Sequence, residues 1–192
     1  QRHYRVWVAE PKRAPLAGGH PTLFMLDGNA VLSRLQESWL REIQTGTPPV
    51  LVMMGYDTDL LFDGAARQYD YTPAPPGEYE IRDPRRPERL GGGAARFLQL
   101  IETRIKPRVA ELIPVDPGEQ SLWGHSYGGL FTLFALCARP ASFRRYFPTS
   151  ASLSRADGLL DVYLQRLTEQ PPTNAVDVWM CRGSAEGRQS EH

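Results

Sequence analysis

An alternating α/β fold with a mostly parallel central sheet and helices on both faces, a three-layer sandwich, is predicted by three observations. Apolar runs of strand length recur along the chain with segments of helical period between them. Two of those runs, Pro21-Thr22-Leu23-Phe24-Met25-Leu26 and Pro49-Val50-Leu51-Val52-Met53-Met54-Gly55, are continuous rather than alternating, as strands buried on both faces are. A third, Gln120-Ser121-Leu122-Trp123, runs into a glycine-flanked serine and then directly into an apolar helical segment. At 192 residues one domain is the default. We read 1–192 as that domain, with part of its C-terminal region missing from the sequence.

Each element has its own justification. Tyr4 to Ala9 alternates like a strand, and Pro11 to His20 is a Pro/Gly-rich turn. The Pro21 run ends in Asp27-Gly28-Asn29, the signature of a buried strand entering a functional loop. Ala30 to Gln44 carries Val31, Leu35, Trp39 and Ile43 at helical spacing, so one helix is expected before the Pro49 strand. Phe62 to Pro87, rich in Pro, Arg and aromatics, reads as a long surface excursion beside the site. After Gly91-Gly92-Gly93 a helix places Phe97, Leu100, Ile101 and Ile105 on one face, and Pro107 kinks or interrupts it. Beyond the serine come a helix to Cys137, a strand from Arg144, a helix from Leu159 to Leu167 and a last strand from Val176 to Cys181.

Composition narrows the function. Apolar content of 41% and charged content of 23% are those of an ordinary globular protein. Lys+Arg and Asp+Glu both number 22, so no net field points to nucleic acid or an acidic membrane. No apolar run approaches the roughly twenty residues of a membrane span, so no membrane insertion is expected. Cys137 and Cys181 are read as small core residues, and no Cys/His set has ligand spacing. Neither a metal nor another cofactor is expected. We expect a bacterial protein of the periplasm or cytoplasm, the periplasm preferred.

Gly124-His125-Ser126-Tyr127-Gly128 carries the chemistry. It fits G-x-S-x-G, the turn that presents a nucleophilic serine between a strand and a helix in α/β-hydrolases. Glycines at 124 and 128 are expected where backbone and helix approach too closely for a Cβ atom. The alternative is a Gly-rich turn whose serine caps the helix. A nucleophilic serine needs a base within hydrogen-bond reach and two backbone N–H donors for the oxyanion. Tyr127 supplies one donor, because it begins the helix and its amide is free. The second belongs to the Asp27-Gly28-Asn29 loop, although that tripeptide also suits a simple turn.

The chain order in this fold is serine, acid, histidine. His3 and His20 precede the serine and are read as surface side chains, and His125 points away from the nucleophile. His192 is the only histidine after Ser126, and we assign it as the base. It follows the last strand too quickly for an intact fold, so either the true histidine lies further on or residues are missing between Glu186 and His192. Glu186 stands where an orienting acid belongs, and a solvated loop glutamate is the alternative. Arg67 and Tyr71 are candidates for the substrate side, since arginine pairs with anionic oxygens and stacks on aromatic rings. The structural alternative pairs Arg67 with Asp70 or Asp63.

Met25-Leu26-Asp27-Gly28-Asn29, Gly55-Tyr56-Asp57, Arg67-Gln68-Tyr69-Asp70-Tyr71-Thr72-Pro73 and Leu122 to Phe131 together resemble, in order, the landmarks of an esterase family of α/β-hydrolases. Within it the chain is most similar to the Fes and IroE type of catecholate-siderophore trilactone esterases, which act on enterobactin and salmochelin. The resemblance implies an acyl-enzyme on Ser126, Asn29 as the second oxyanion donor, and a small ester, a ferric catecholate siderophore, as partner. It also allows a Ser–His dyad without an acid. Ser150-Ala151-Ser152 departs from the family, where S-P-S followed by tryptophans is frequent. A general carboxylesterase for small acyl or feruloyl esters, and a catalytically incomplete ligand-binding homologue, are the alternatives.

Overall fold

The computed structural model describes residues 2–83, 86–156 and 158–184. Its strands are β1 (Tyr4–Ala9), β2 (His20–Met25), β3 (Val50–Tyr56), β4 (Ile81–Asp83), β5 (Arg86–Gly91), β6 (Val115–His125), β7 (Arg145–Thr149) and β8 (Asp177–Val178). Its helices are α1 (Gly28–Arg34), α2 (Glu37–Ile43), α3 (Gly64–Tyr71), α4 (Ala94–Leu100), α5 (Lys106–Leu112), α6 (Tyr127–Ala138) and α7 (Leu159–Glu169). Among the described residues six strands form one sheet in the order β1-β3-β2-β6-β7-β8, and β4 pairs with β5 alone. In the large sheet β1 runs antiparallel to β3 and the other pairings are parallel. The expected mixed α/β architecture is present.

The two central apolar runs behave as their sequences require. Every residue of β3 is buried, and β2 buries Phe24 among the aromatic rings of the core. Phe97, Phe131 and Phe134 carry α4 and α6 into the same cluster. α6 has little polar surface to offer water, and that is why it packs flat on the sheet behind the serine.

Several elements differ from expectation; the last strand, for one, is only Asp177–Val178. The span 30–44 is two helices, because Leu35 and Gln36 turn extended between them. The Ser33 hydroxyl bonds back to Ala30 O at 2.9 Å, a contact that competes with the helical ladder. The span 62–87 is not a surface excursion throughout: α3 sits against the core with Ala66, Gln68, Asp70 and Tyr71 buried. Around Pro107 the helix continues by widening. Residues Ile101–Ile105 form a π turn in which the Lys106 N–H reaches Ile101 O, accommodating a proline that has no N–H for the regular ladder.

Candidate active site

Ser126 stands at the C-terminal end of β6, the place where ligands meet open parallel sheets. Its backbone has φ 59° and ψ −112°, a conformation that a non-glycine residue adopts only under constraint. The constraint is visible. Ser126 N–H donates to Thr149 O at 3.0 Å on β7, and Ser126 O accepts from Leu130 N–H at 3.0 Å and from Ser152 N–H at 3.1 Å. A Cβ on Gly124 would stand 2.3 Å from Gly128 O, so the turn closes only with glycine there. At Gly128 the nearest such contact is 3.4 Å, whereas at Gly129 it is 2.7 Å, to Thr149 O. Gly129, rather than Gly128, is therefore the second glycine that this geometry demands.

The loop beside the elbow is held as firmly. Asp27 follows β2 with φ 56° and ψ 44°, left-handed for a residue that carries a side chain. Arg67 of α3 fixes it with a two-pronged ion pair, Nε to Oδ1 at 2.5 Å and Nη2 to Oδ2 at 2.7 Å. The Asp27 N–H donates to the Tyr71 hydroxyl at 3.2 Å. Burial pushes the Asp27 carboxyl above its ordinary range, against the hydrogen bonds and charge of Arg67. Burial likewise works against the Arg67 charge, and Asp27, with Tyr71 and Tyr56, more than offsets it, leaving the guanidinium raised above its usual value. Arg67 also lies 5.7 Å from the centre of the Tyr127 ring and 4.8 Å from that of Phe62.

Asn29 is anchored to the end of β3. Its Oδ1 accepts from Tyr56 N–H at 2.9 Å, and its Nδ2 donates to Tyr56 O at 3.1 Å and Thr58 O at 2.9 Å. A Cβ on Gly55 would collide with that side chain at 2.1 Å. The Asn29 amide group is thus committed to Tyr56 and Thr58.

Several expectations are corrected. Tyr71 does not line an open surface: its ring is wholly buried between Tyr56, Phe97 and Phe131, and its hydroxyl braces Asp27 from beneath. Arg67 pairs with neither Asp70 nor Asp63. Asp63 caps α3 at Ala66 N–H, and Asp70 takes Arg2 and the Tyr4 hydroxyl. His20 is buried at the start of β2 with its Nε2 unpartnered, because its residue pairs with Val115 inside the sheet. Cys181 is exposed, unlike Cys137, although its backbone still bridges Thr149 beyond the end of β8. Glu186 and His192 lie outside the described residues.

Two participants escaped the sequence reading. Asp27 is the partner of Arg67; an acid closing an apolar strand run just before Gly-Asn was the available signal. Ser152 places its Oγ 3.0 Å from Ser126 Oγ. Its signals were the Ser150-Ala151-Ser152 stretch, set against the family's S-P-S, and its position after β7, the strand beside the nucleophile's own. An apolar cavity of about 470 Å³ adjoins the elbow, walled by Met25, Trp39, Phe62 and Trp123 and carrying Asp27, Arg34 and His125. Among the described residues no group of three or more His, Cys, Asp or Glu is placed to hold a metal ion, and no helix is long and apolar enough to cross a membrane.

A serine held at positive φ between a parallel strand and a buried helix, beside a braced turn from the neighbouring strand, defines an α/β-hydrolase. The chain belongs to the Putative esterase family, whose model matches residues 1–191. It is 45% identical over 171 residues to the apo-salmochelin esterase of Escherichia coli O6:H1, covering 89% of this chain and 52% of that protein. It is 33% identical over 161 residues to the ferri-bacillibactin esterase BesA of Bacillus subtilis, covering 79% and 54%. The chain thus spans about half the length of these curated relatives. It is also similar to the solved structure of the enterobactin hydrolase IroE in complex with DFP, with a TM-score of 0.79 at 43% identity over 96% of this chain and 71% of that one.

Proposed function

We propose that this protein is a serine esterase that hydrolyses the ester bonds of a catecholate siderophore trilactone through an acyl-enzyme on Ser126. The observation that carries the reading is the Ser126 backbone, held at φ 59° and ψ −112° at the head of α6. Such a backbone lifts the hydroxyl clear of the helix, and Tyr127, at the first helical position, has an N–H that the helix itself does not use. In this reading Ser126 attacks the ester carbonyl while His192, oriented by Glu186, takes its proton. The Tyr127 and Asn29 N–H groups receive the oxyanion. Collapse expels the alcohol, and water then releases the acyl group.

The substrate class draws support from the names of the relatives and from the cavity beside the elbow, apolar yet carrying Arg34, with its one acid, Asp27, paired to Arg67. Aromatic walls with an arginine suit an aryl ester bearing negative charge. The test compares hydrolysis of ferric enterobactin with that of p-nitrophenyl butyrate by the protein and by Ser126→Ala. Serine-dependent turnover favouring the trilactone is expected. Turnover of the small ester alone would indicate a general carboxylesterase, and turnover of neither would reject the reading.

A further inference from the structure

The segment after β7 is built around the nucleophile. Thr149 O accepts from Ser126 N–H and Ser152 N–H donates to Ser126 O, so the two backbones clasp each other from both sides. Between these contacts Ser150 takes a left-handed φ of 46°, and its N–H donates to Cys181 O at 2.7 Å. Gly129 makes the clasp possible: a Cβ there would stand 3.0 Å from Ala151 Cα as well as 2.7 Å from Thr149 O. The turn is thus secured by main-chain groups. The Ser152 hydroxyl is not needed to close it, yet it lies 3.0 Å from Ser126 Oγ.

We infer that Ser152 is a second catalytic hydroxyl, one that donates to Ser126 Oγ whenever that oxygen carries negative charge. The inference rests on Ser126 being the nucleophile. In acylation the Ser126 O–H bond breaks and its proton passes to the imidazole base. An oxygen electron pair forms the bond to the ester carbon, and the carbonyl π pair moves onto the carbonyl oxygen; its return breaks the bond to the alcohol, which leaves with the proton from the imidazole. In deacylation water gives a proton to the imidazole and adds to the acyl carbon. Collapse then breaks the carbon–Oγ bond, the pair returns to Ser126 Oγ, and the imidazole returns the proton. Oγ is partly anionic in both steps. A hydrogen bond to an oxygen gaining charge is stronger than one to a neutral hydroxyl. Ser152 therefore stabilises both transition states more than the resting site.

The rate at which diisopropyl fluorophosphate phosphorylates Ser126 reads the nucleophile's reactivity without requiring the natural ester. It is measured by peptide mass spectrometry for the unaltered protein, Ser152→Ala and Ser152→Thr, with a thermal melt of each. Ser152→Ala is expected to react roughly 10-fold more slowly or worse at an unchanged melting midpoint. Ser152→Thr, which keeps the hydroxyl, is expected to stay within about 3-fold of the unaltered protein. Equal rates for Ser152→Ala and the unaltered protein would overturn the inference. So would Thr and Ala variants that are equally slow and melt early, since packing alone would then explain the loss. If the unaltered protein is not phosphorylated, the nucleophile reading itself fails, and the role of Ser152 falls with it.

Discussion

Arg67 holds Asp27 by two parallel hydrogen bonds of 2.5 and 2.7 Å, tying α3 to the turn that follows β2. Both side chains are largely withdrawn from solvent, 13% and 7% exposed. A pair so placed is costly to break from one side, because the remaining charge stays buried.

Replacing Arg67 by Met leaves the Asp27 carboxylate without its cation. We expect a loss of roughly 3 kcal/mol in urea unfolding, and a smaller loss for Arg67→Lys, which keeps the charge but not the fork. In both variants turnover should fall mainly in kcat, because the loop that carries Asn29 loses its brace. A fall confined to KM would instead point to Arg67 as a direct substrate contact.

Tyr71→Phe tests the same brace from below. The ring's packing is retained, while the Asp27 N–H loses its acceptor. An unpaired buried donor costs about 1–3 kcal/mol, measurable as a lower urea midpoint at unchanged slope.

Asp70 gives the fold a pH signature. Burial pushes its carboxyl up to about 6, opposed by the charge of Arg2 and the Tyr4 hydroxyl. The sign follows from linkage: between its ordinary value near 4 and about 6, the unfolded chain ionises Asp70 while the folded chain keeps the proton. Its contribution to stability is therefore complete below about pH 4 and is lost as pH rises to about 6, by an amount on the order of 3 kcal/mol at most. Unfolding free energies measured across that range for the protein and Asp70→Asn should differ in slope in this sense. Parallel curves would refute the assignment.

The two motif glycines should respond unequally to alanine. At Gly124 the new methyl would meet backbone at 2.3 Å, so Gly124→Ala should fail to fold or lose nearly all activity. At Gly128 the nearest atoms are on Leu26 at 3.4 Å, so Gly128→Ala should stay folded with a change below about 1 kcal/mol. Soluble yield and circular dichroism of the pair distinguish the two cases.

What was legible in the chain was whatever depends on neighbours in sequence. Continuous apolar runs revealed β2 and β3, and the strand–turn–helix grammar around Ser126 revealed the elbow. Residues whose roles depend on distant partners were not legible. Helix α3 is two turns long and buries Gln68 and Asp70, polar groups satisfied in part by Arg89 and Arg2. No local pattern announces such a helix in a stretch full of proline and arginine. Tyr71 beside Arg67 resembles a ligand-binding pair until Asp27, forty residues earlier, is seen to engage both. Ser152 shares the site only because β7 lies next to β6 in the sheet, an adjacency that spacing does not encode.

The central claim, a covalent acyl-enzyme on Ser126, is tested most directly by acid quenching during turnover of p-nitrophenyl butyrate, followed by peptide mass spectrometry. The account predicts a butyryl adduct on the peptide containing Ser126, formed at the rate of the p-nitrophenol burst and absent from Ser126→Ala. Steady hydrolysis with no adduct, or an adduct that survives in Ser126→Ala, would contradict it.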